Sequence, residues 1–310
     1  MEQVPMRDGY GKALLELCRD FDNVMVLDAD VAKSTRTEWI KAQFPQHFLD
    51  MGISEQDMVG TAAGMALGGL VPFVSTYGVF LAGRAWDQIR NTVCYNRLNV
   101  KLAGAHAGIS VGPDGATHQA LEDISLMRVL PGMTVVVPCD SIETYKATMA
   151  IFNIDGPCYI RFGREAVPVI TDEATPFQLG KAQVFRDGTD VTILANGVMV
   201  GQGLQAAERL ARSGISARVV NVHTVKPLDD AYILKCARET GHIVVCEEHQ
   251  RSGGLGGAVC ELLAQHECVP VELVGIHDTF GESGKPSELM EAYGLGVKDV
   301  LDAVQRVLKR

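Results

Sequence analysis

Five short apolar runs in the first half of the chain, VMVLD (24–28), VPFVS (71–75), VKLAG (100–104), TVVVP (134–138) and CYIRF (158–162), constrain its fold more than any other feature. Each is rich in β-branched residues and closed by Gly, Pro or a polar residue, which is the pattern of a strand buried on both faces. Such strands belong to parallel sheets with helices on either side. Helical periodicity lies between the runs, for example over residues 11–20 and 141–153, so the alternation predicts βα units. Periodicity lapses in EAVPVITDEATPFQLGKAQVFR, which contains two Pro and reads as a linker. A second series then begins: VTILA (191–195), a helix over 199–213, ARVVNV (217–222), a helix over 229–240, HIVVCE (242–247), a helix after SGGLGGA, and VELVGI (271–276). The expectation is two consecutive three-layer α/β domains with mostly parallel sheets, over residues 1–166 and 187–310, joined by a linker at 167–186.

Composition narrows the function. The 310 residues suit two domains, and 32 Gly with few aromatics fit tight strand-to-helix turns. The net charge of −10 is spread evenly, with 14 Lys+Arg against 19 Asp+Glu in residues 1–165 and the same numbers in the rest. No basic face is evident, which argues against nucleic acid or an anionic membrane as partner. MEQVPMRDGYGK carries charge where a signal peptide needs an apolar core, so a soluble, cytoplasmic chain is expected. The eight Cys show no C-x-x-C and no zinc spacing, and read as reduced packing residues. SGGLGGAV lacks both the Lys-Ser/Thr of a phosphate loop and G-x-G-x-x-G spacing, and reads as tight strand-to-helix packing or a helix start at a subunit interface.

Residues 52–58, GISEQDM, place Ser54 as a helix cap with Asp57 completing a capping box. Glu55 is then surplus to the cap; its ordinary use is to complement the helix dipole. Its neighbours in the chain suggest more. Four polar stretches fall at strand ends, where open α/β sheets bind ligands: VLDADVAKST (26–35), MGISEQDM (51–58), STYGVF (75–80) and AHAGISVGPDGATHQALED (105–123). In the last, His106, Asp114 and His118 share a loop whose Gly108, Gly112 and Gly115 let the backbone approach a ligand closely.

Together these stretches resemble the C-terminal half of the transketolases. DADVAKS is similar to the family's D-L-A-x-S segment, GISEQDM to its G-[VI]-x-E helix start and GPDGATHQALED to its G-x-D-G-P-T-H-Q loop. The similarity continues through GTDVTILANGVMV, KPLD and VCEEHQRSGGLGGAV and so covers essentially the whole chain. The resemblance implies a pyrimidine-binding domain for thiamine diphosphate followed by a transketolase C-terminal domain. Glu55 then matches the residue that hydrogen-bonds a ring nitrogen of the aminopyrimidine, favouring the tautomer that removes the thiazolium proton; a carboxylate on a rigid helix start suits that task.

Further roles are implied position by position. Tyr77 stands where a Phe stacks on the aminopyrimidine, Phe80 matches a second wall residue, and Asp30 a contact on the thiazolium side. The family's next aromatic falls at Gly83, leaving one wall without a side chain. His118 matches a His near the scissile bond, and Asp114 the carboxylate that reads an aldehyde's α-hydroxyl. Arg7, Ser34, His106 and Arg164 match phosphate contacts, with Arg161 a competing assignment for Arg164.

The family's G-D-G motif followed by Asn, which holds the diphosphate through Mg²⁺, does not occur here. PDG at 113–115 does not replace it, so no metal ligand is assigned in this chain and a second polypeptide is expected to supply them. The resemblance therefore implies the C-terminal subunit of a split transketolase of the pentose phosphate pathway, acting on sugar phosphates with thiamine diphosphate and Mg²⁺. An N-terminal-section subunit would complete the site and a homodimer contact would give α2β2. The alternatives are a β subunit of a 2-oxoacid dehydrogenase, deoxyxylulose-phosphate synthase, and a non-catalytic thiamine-binding regulatory subunit. The DG-x-THQ-ALED loop argues against the first and the chain's shortness against the second.

Overall fold

All five runs of the first half become strands in the computed structural model, which describes residues 2–310. The first half runs through β1 (Gln3–Pro5), β2 (Val24–Asp28), β3 (Phe48–Asp50), β4 (Val71–Tyr77), β5 (Lys101–Ala105), β6 (Thr134–Val136), β7 (Cys158–Arg161) and β8 (Ala166–Pro168). The second contributes β9 (Gln183–Arg186), β10 (Val191–Ala195), β11 (Ala217–Asn221), β12 (Thr224–Lys226), β13 (Ile243–Gln250) and β14 (Val271–Ile276). Two α/β domains with mixed, largely parallel sheets result. The first sheet has the order β12-β6-β7-β5-β4-β2-β3 and the second β14-β13-β10-β11-β9.

The runs lack polar alternation because both faces of the first sheet are covered. Val26, Phe73 and Ala103 enter one core with Leu14 and Ile151, while their neighbours Leu27, Val74 and Leu102 point to the opposite core with Met58 and Val59. Burying a side chain such as Phe73 completely is worth roughly 2 kcal/mol. The second of these cores continues into Leu194, Val220 and Val245 of the other domain, so the two sheets share apolar packing.

Several features lie beyond the periodicity. β12 leaves the second domain and pairs antiparallel with β6 of the first sheet. The stretch read as a linker carries β8, paired with β1, and β9, which pairs antiparallel with β11 as the edge of the second sheet. The first helix begins at Met6, which brings Arg7 into its opening turn. Helix Glu55–Leu67 starts where GISEQDM places it, but the expected capping box does not form: Ser54 Oγ donates to the Met51 carbonyl at 2.7 Å instead.

Glu247 explains the glycines of SGGLGGAV. Its carboxylate, from within β13, accepts from the amides of Leu255 and Gly256, each at 2.8 Å, at the start of helix Leu255–His266. That helix start already holds an anion from its own chain. A Cβ on Gly254 would lie 2.0 Å from Glu247 Oε2, so close packing requires the glycine. The cysteines are all free, six of them buried. No described helix is long and apolar enough to cross a membrane.

Candidate active site

The chain passes from β2 outward to β3 and returns on the other side of β2 as β4, so the order of the first sheet reverses between β2 and β4. A crevice opens at the carboxyl ends of the strands at such a point. The loop after β2 is held by Asp28, a buried residue that accepts from Val31 N at 2.7 Å, Thr35 Oγ1 at 2.7 Å and Thr37 Oγ1 at 2.8 Å. Burial pushes the Asp28 pKa up to about 6, against the pull of those hydrogen bonds. The loop thereby presents Ser34, whose Oγ accepts from the Tyr77 hydroxyl at 3.0 Å across the crevice. The Ser34 carbonyl accepts from Arg7 Nη1 at 3.1 Å.

Four rings gather beside this link. Tyr77 stacks on His106 at 4.4 Å between centroids and lies 6.0 Å from Phe80 at a 23° angle. His118 meets Phe80 edge-on at 5.2 Å, and its Nδ1 lies 2.9 Å from the Thr117 hydroxyl. His106 follows β5 with φ +51° and is buried. Burial, with the charges of Arg7 and Arg164, pulls its pKa down to about 3, which keeps the imidazole neutral. Its Nε2 faces Arg7 Nη1 at 3.5 Å, and its Nδ1 is buried without a hydrogen-bond partner.

Glu55 is 1% exposed at the start of its helix, and its Oε2 accepts from Arg84 Nη1 at 2.6 Å. Arg84, 45% exposed, also lays its guanidinium over Phe80 with Cζ 4.6 Å from the ring centre. Arg164 Nη1 donates to Asp114 at 3.2 Å from the end of β7, and both are about one third exposed.

Arg161 is engaged elsewhere. Its Nε bonds Asp123 at 3.0 Å, and its Nη2 donates to the carbonyls of Ala120 and Glu248. Both members of the pair are almost fully buried, and Tyr159 adds a hydrogen bond to Asp123 at 2.7 Å. Of the two arginines, Arg164 is the one beside the crevice.

The tertiary structure thus joins Arg7, Ser34, Tyr77, Phe80, His106 and His118 in one network, with Glu55 tied to it through Arg84 and Phe80. Asp114 and Arg164 form a pair at its edge. Asp30 is exposed with φ +61° and stands outside the network of side-chain hydrogen bonds. Sequence reasoning passed over Asp28, Arg84 and Glu248. Glu248, from the second domain, accepts from Ser110 N at 2.7 Å and packs so tightly that a Cβ on Gly108 would lie 2.2 Å from its Cδ. For Asp28 the signal is an acid closing a buried strand; for the other two the contacts span too much sequence to leave one.

A carboxylate almost wholly removed from water, joined through Arg84 to the stacked rings of Phe80 and Tyr77, suits a flat heteroaromatic ring with a nitrogen able to share a proton. Among the described residues no group of three or more His, Cys, Asp or Glu is disposed to hold a metal ion.

Residues 2–169 match the family model described as "Transketolase, pyrimidine binding domain", and residues 180–300 match "Transketolase, C-terminal domain". The chain belongs to the transketolase family. Within it, the chain is a C-terminal subunit of the split-gene kind. It is 47% identical to a solved structure described as "Split gene transketolase, inactive beta4 tetramer", with a TM-score of 0.93 over 99% of each chain. It is 42% identical over 310 residues to the 6-deoxy-6-sulfo-D-fructose transketolase subunit SqwH of a Clostridium species, covering 100% of this chain and 96% of that one. A subunit of the apulose-4-phosphate transketolase of Phocaeicola vulgatus is 37% identical, covering 99% and 98%. A transketolase from Campylobacter jejuni, 23% identical with a TM-score of 0.85, shares the fold over 98% of this chain and 47% of its own.

Proposed function

We propose that this chain is the C-terminal subunit of a split transketolase, which moves a two-carbon ketol unit from a ketose phosphate to an aldose phosphate together with an N-terminal-section subunit. The observation that carries the reading is Glu55, a buried carboxylate at a helix start tied through Arg84 to the stacked rings of Phe80 and Tyr77. Glu55, Tyr77, Phe80 and Asp30 would hold thiamine diphosphate, which would supply a nucleophilic carbon for the ketol transfer. Glu55 would accept a hydrogen bond from, and share a proton with, the aminopyrimidine nitrogen. Tyr77 and Phe80 would keep water from that ring, and Asp30 would contact the thiazolium side. His118, its Nδ1 beside Thr117, contacts donor hydroxyls and moves protons there, and Asp114 reads the acceptor's α-hydroxyl.

Arg7, Ser34, His106 and Arg164 receive the terminal phosphate. The neutral His106 is consistent with this role: its unpartnered Nδ1 is a donor when Nε2 accepts from Arg7. The two subunit relatives carry a sulfonate or a phosphate in their named substrates, and either anion needs such donors. The Mg²⁺ ligands come from the partner subunit, in an α2β2 assembly.

The test is reconstitution. The purified chain should bind thiamine diphosphate and Mg²⁺ weakly or not at all by calorimetry, and ketol transfer should appear when the partner is added. Glu55→Gln should lower turnover of the complex at least about a hundredfold with assembly intact. Transfer by the single chain, or full turnover by Glu55→Gln, would refute the reading.

A further inference from the structure

Glu55 occupies a position that is costly for a charge. It is 1% exposed, and its helix packs Met58, Val59 and Ala62 into an apolar core. A carboxylate taken out of water that far is stable as an anion only when paired. Among the described residues its one ion pair is with Arg84, at 2.6 Å. That contact uses Oε2 and leaves Oε1 free of protein partners among the described hydrogen bonds.

Arg84 is itself set in place. It closes the π-helical turn Phe80–Arg84, a wide turn of the kind found at functional sites. Its own carbonyl accepts from Gln56 Nε2 at 3.1 Å, which ties this turn to the first turn of the Glu55 helix. Its guanidinium lies over Phe80 at 4.6 Å. The preceding Gly83 has no side chain, and a Cβ built there meets nothing within 4 Å. The guanidinium is therefore the planar group that flanks Phe80 where residue 83 offers none. Lysine could supply the charge but neither the planar stack nor the fork of donors.

We infer that Arg84 is the positioning residue of Glu55. It holds one carboxylate oxygen, aims the other oxygen at the pyrimidine nitrogen, and walls the pocket beside Phe80. This rests on the proposed function, since it assigns Arg84 a task toward the same cofactor.

Two measurements test it. In the chain alone, side-chain ¹⁵N NMR should show slowed rotation and proton exchange of the Arg84 guanidinium, abolished by Glu55→Gln. A guanidinium indifferent to that substitution would overturn the inference without reference to any cofactor. In the complex with its partner, loaded with thiamine diphosphate and Mg²⁺, exchange of the thiazolium proton followed by NMR should slow at least about tenfold in Arg84→Ala. Millimolar guanidinium chloride should restore part of the loss, and Arg84→Lys should fall between. On a Glu55→Gln background, Arg84→Ala should change exchange less than about twofold, because the two residues act as one unit. Wild-type exchange in Arg84→Ala, or an equal loss on both backgrounds, would overturn the inference and leave the proposed function standing. Failure of the wild-type complex to bind thiamine diphosphate would overturn both.

Discussion

Replacing Arg161 by methionine should cost this chain more stability than any change in the crevice. Arg161 and Asp123 are 4% and 1% exposed and bonded at 3.0 Å, so removal of the guanidinium leaves a buried, uncompensated carboxylate. Breaking a pair of that kind costs about 3–5 kcal/mol. The Tyr159 hydroxyl still donates to Asp123 at 2.7 Å, which keeps the loss toward the lower end. The carbonyl of Glu248 also loses its Nη2 donor, at about 1 kcal/mol when left buried, whereas that of Ala120 keeps the Gly108 amide at 2.9 Å. The sum is about 4–6 kcal/mol, a large share of the roughly 5–15 kcal/mol that holds a protein folded. Methionine keeps most of the volume, so the loss reports charge and hydrogen bonding rather than a cavity. Urea unfolding followed by circular dichroism measures it. Arg164→Met is the control: its pair with Asp114 is about one third exposed and should be worth less than about 1 kcal/mol. Asp123→Asn added to Arg161→Met should recover part of the loss, since the stranded charge is then gone. Equal destabilisation by the two arginine variants, or no recovery in the double variant, would refute the reasoning.

Arg164→Ala in the reconstituted complex should weaken phosphorylated substrates by about 2–4 kcal/mol in kcat/KM while sparing unphosphorylated ones; equal losses for both would remove it from the phosphate site. Glu247→Gln should lower stability by about 1–2 kcal/mol in urea unfolding, because the start of helix Leu255–His266 loses the anion that accepts its first two amides. His106 should stay neutral by ¹⁵N NMR at pH 5, given a native pKa near 3 against the usual 6.5. The unfolded chain alone takes up that proton as pH falls from 6.5 toward 3. The contribution of His106 is therefore complete above pH 6.5 and lost below it, and His106→Asn should remove that part of the acid sensitivity seen in unfolding free energies. A His106 titrating near 6.5 would contradict the burial argument.

The amino-acid sequence alone determined the alternation of strands and helices. Val191–Ala195 and Val271–Ile276 end where the apolar runs end, and helix Glu55–Leu67 begins where GISEQDM says it should. These are local matters, set by residue spacing and by which side chains can be buried on two faces. Motif order likewise carried the family, because the polar residues of the crevice sit at strand ends along the chain. Everything that depends on which strand lies beside which was decided by tertiary structure. β12 joins the sheet of the other domain, and the stretch from 165 to 186 supplies two edge strands where periodicity shows only a lapse. Ser54 looks like a cap, yet its hydroxyl turns to Met51 once the loop from β3 folds back. IRFGRE offers Arg164 with Arg161 as its competitor, and only packing sends Arg161 to Asp123 and Arg164 to Asp114. The pairings Glu55–Arg84, Tyr77–Ser34 and Ser110–Glu248 span 29, 43 and 138 residues. Contacts at that range leave no period in a sequence, because they are fixed by how the sheets and helices pack and not by any neighbour along the chain.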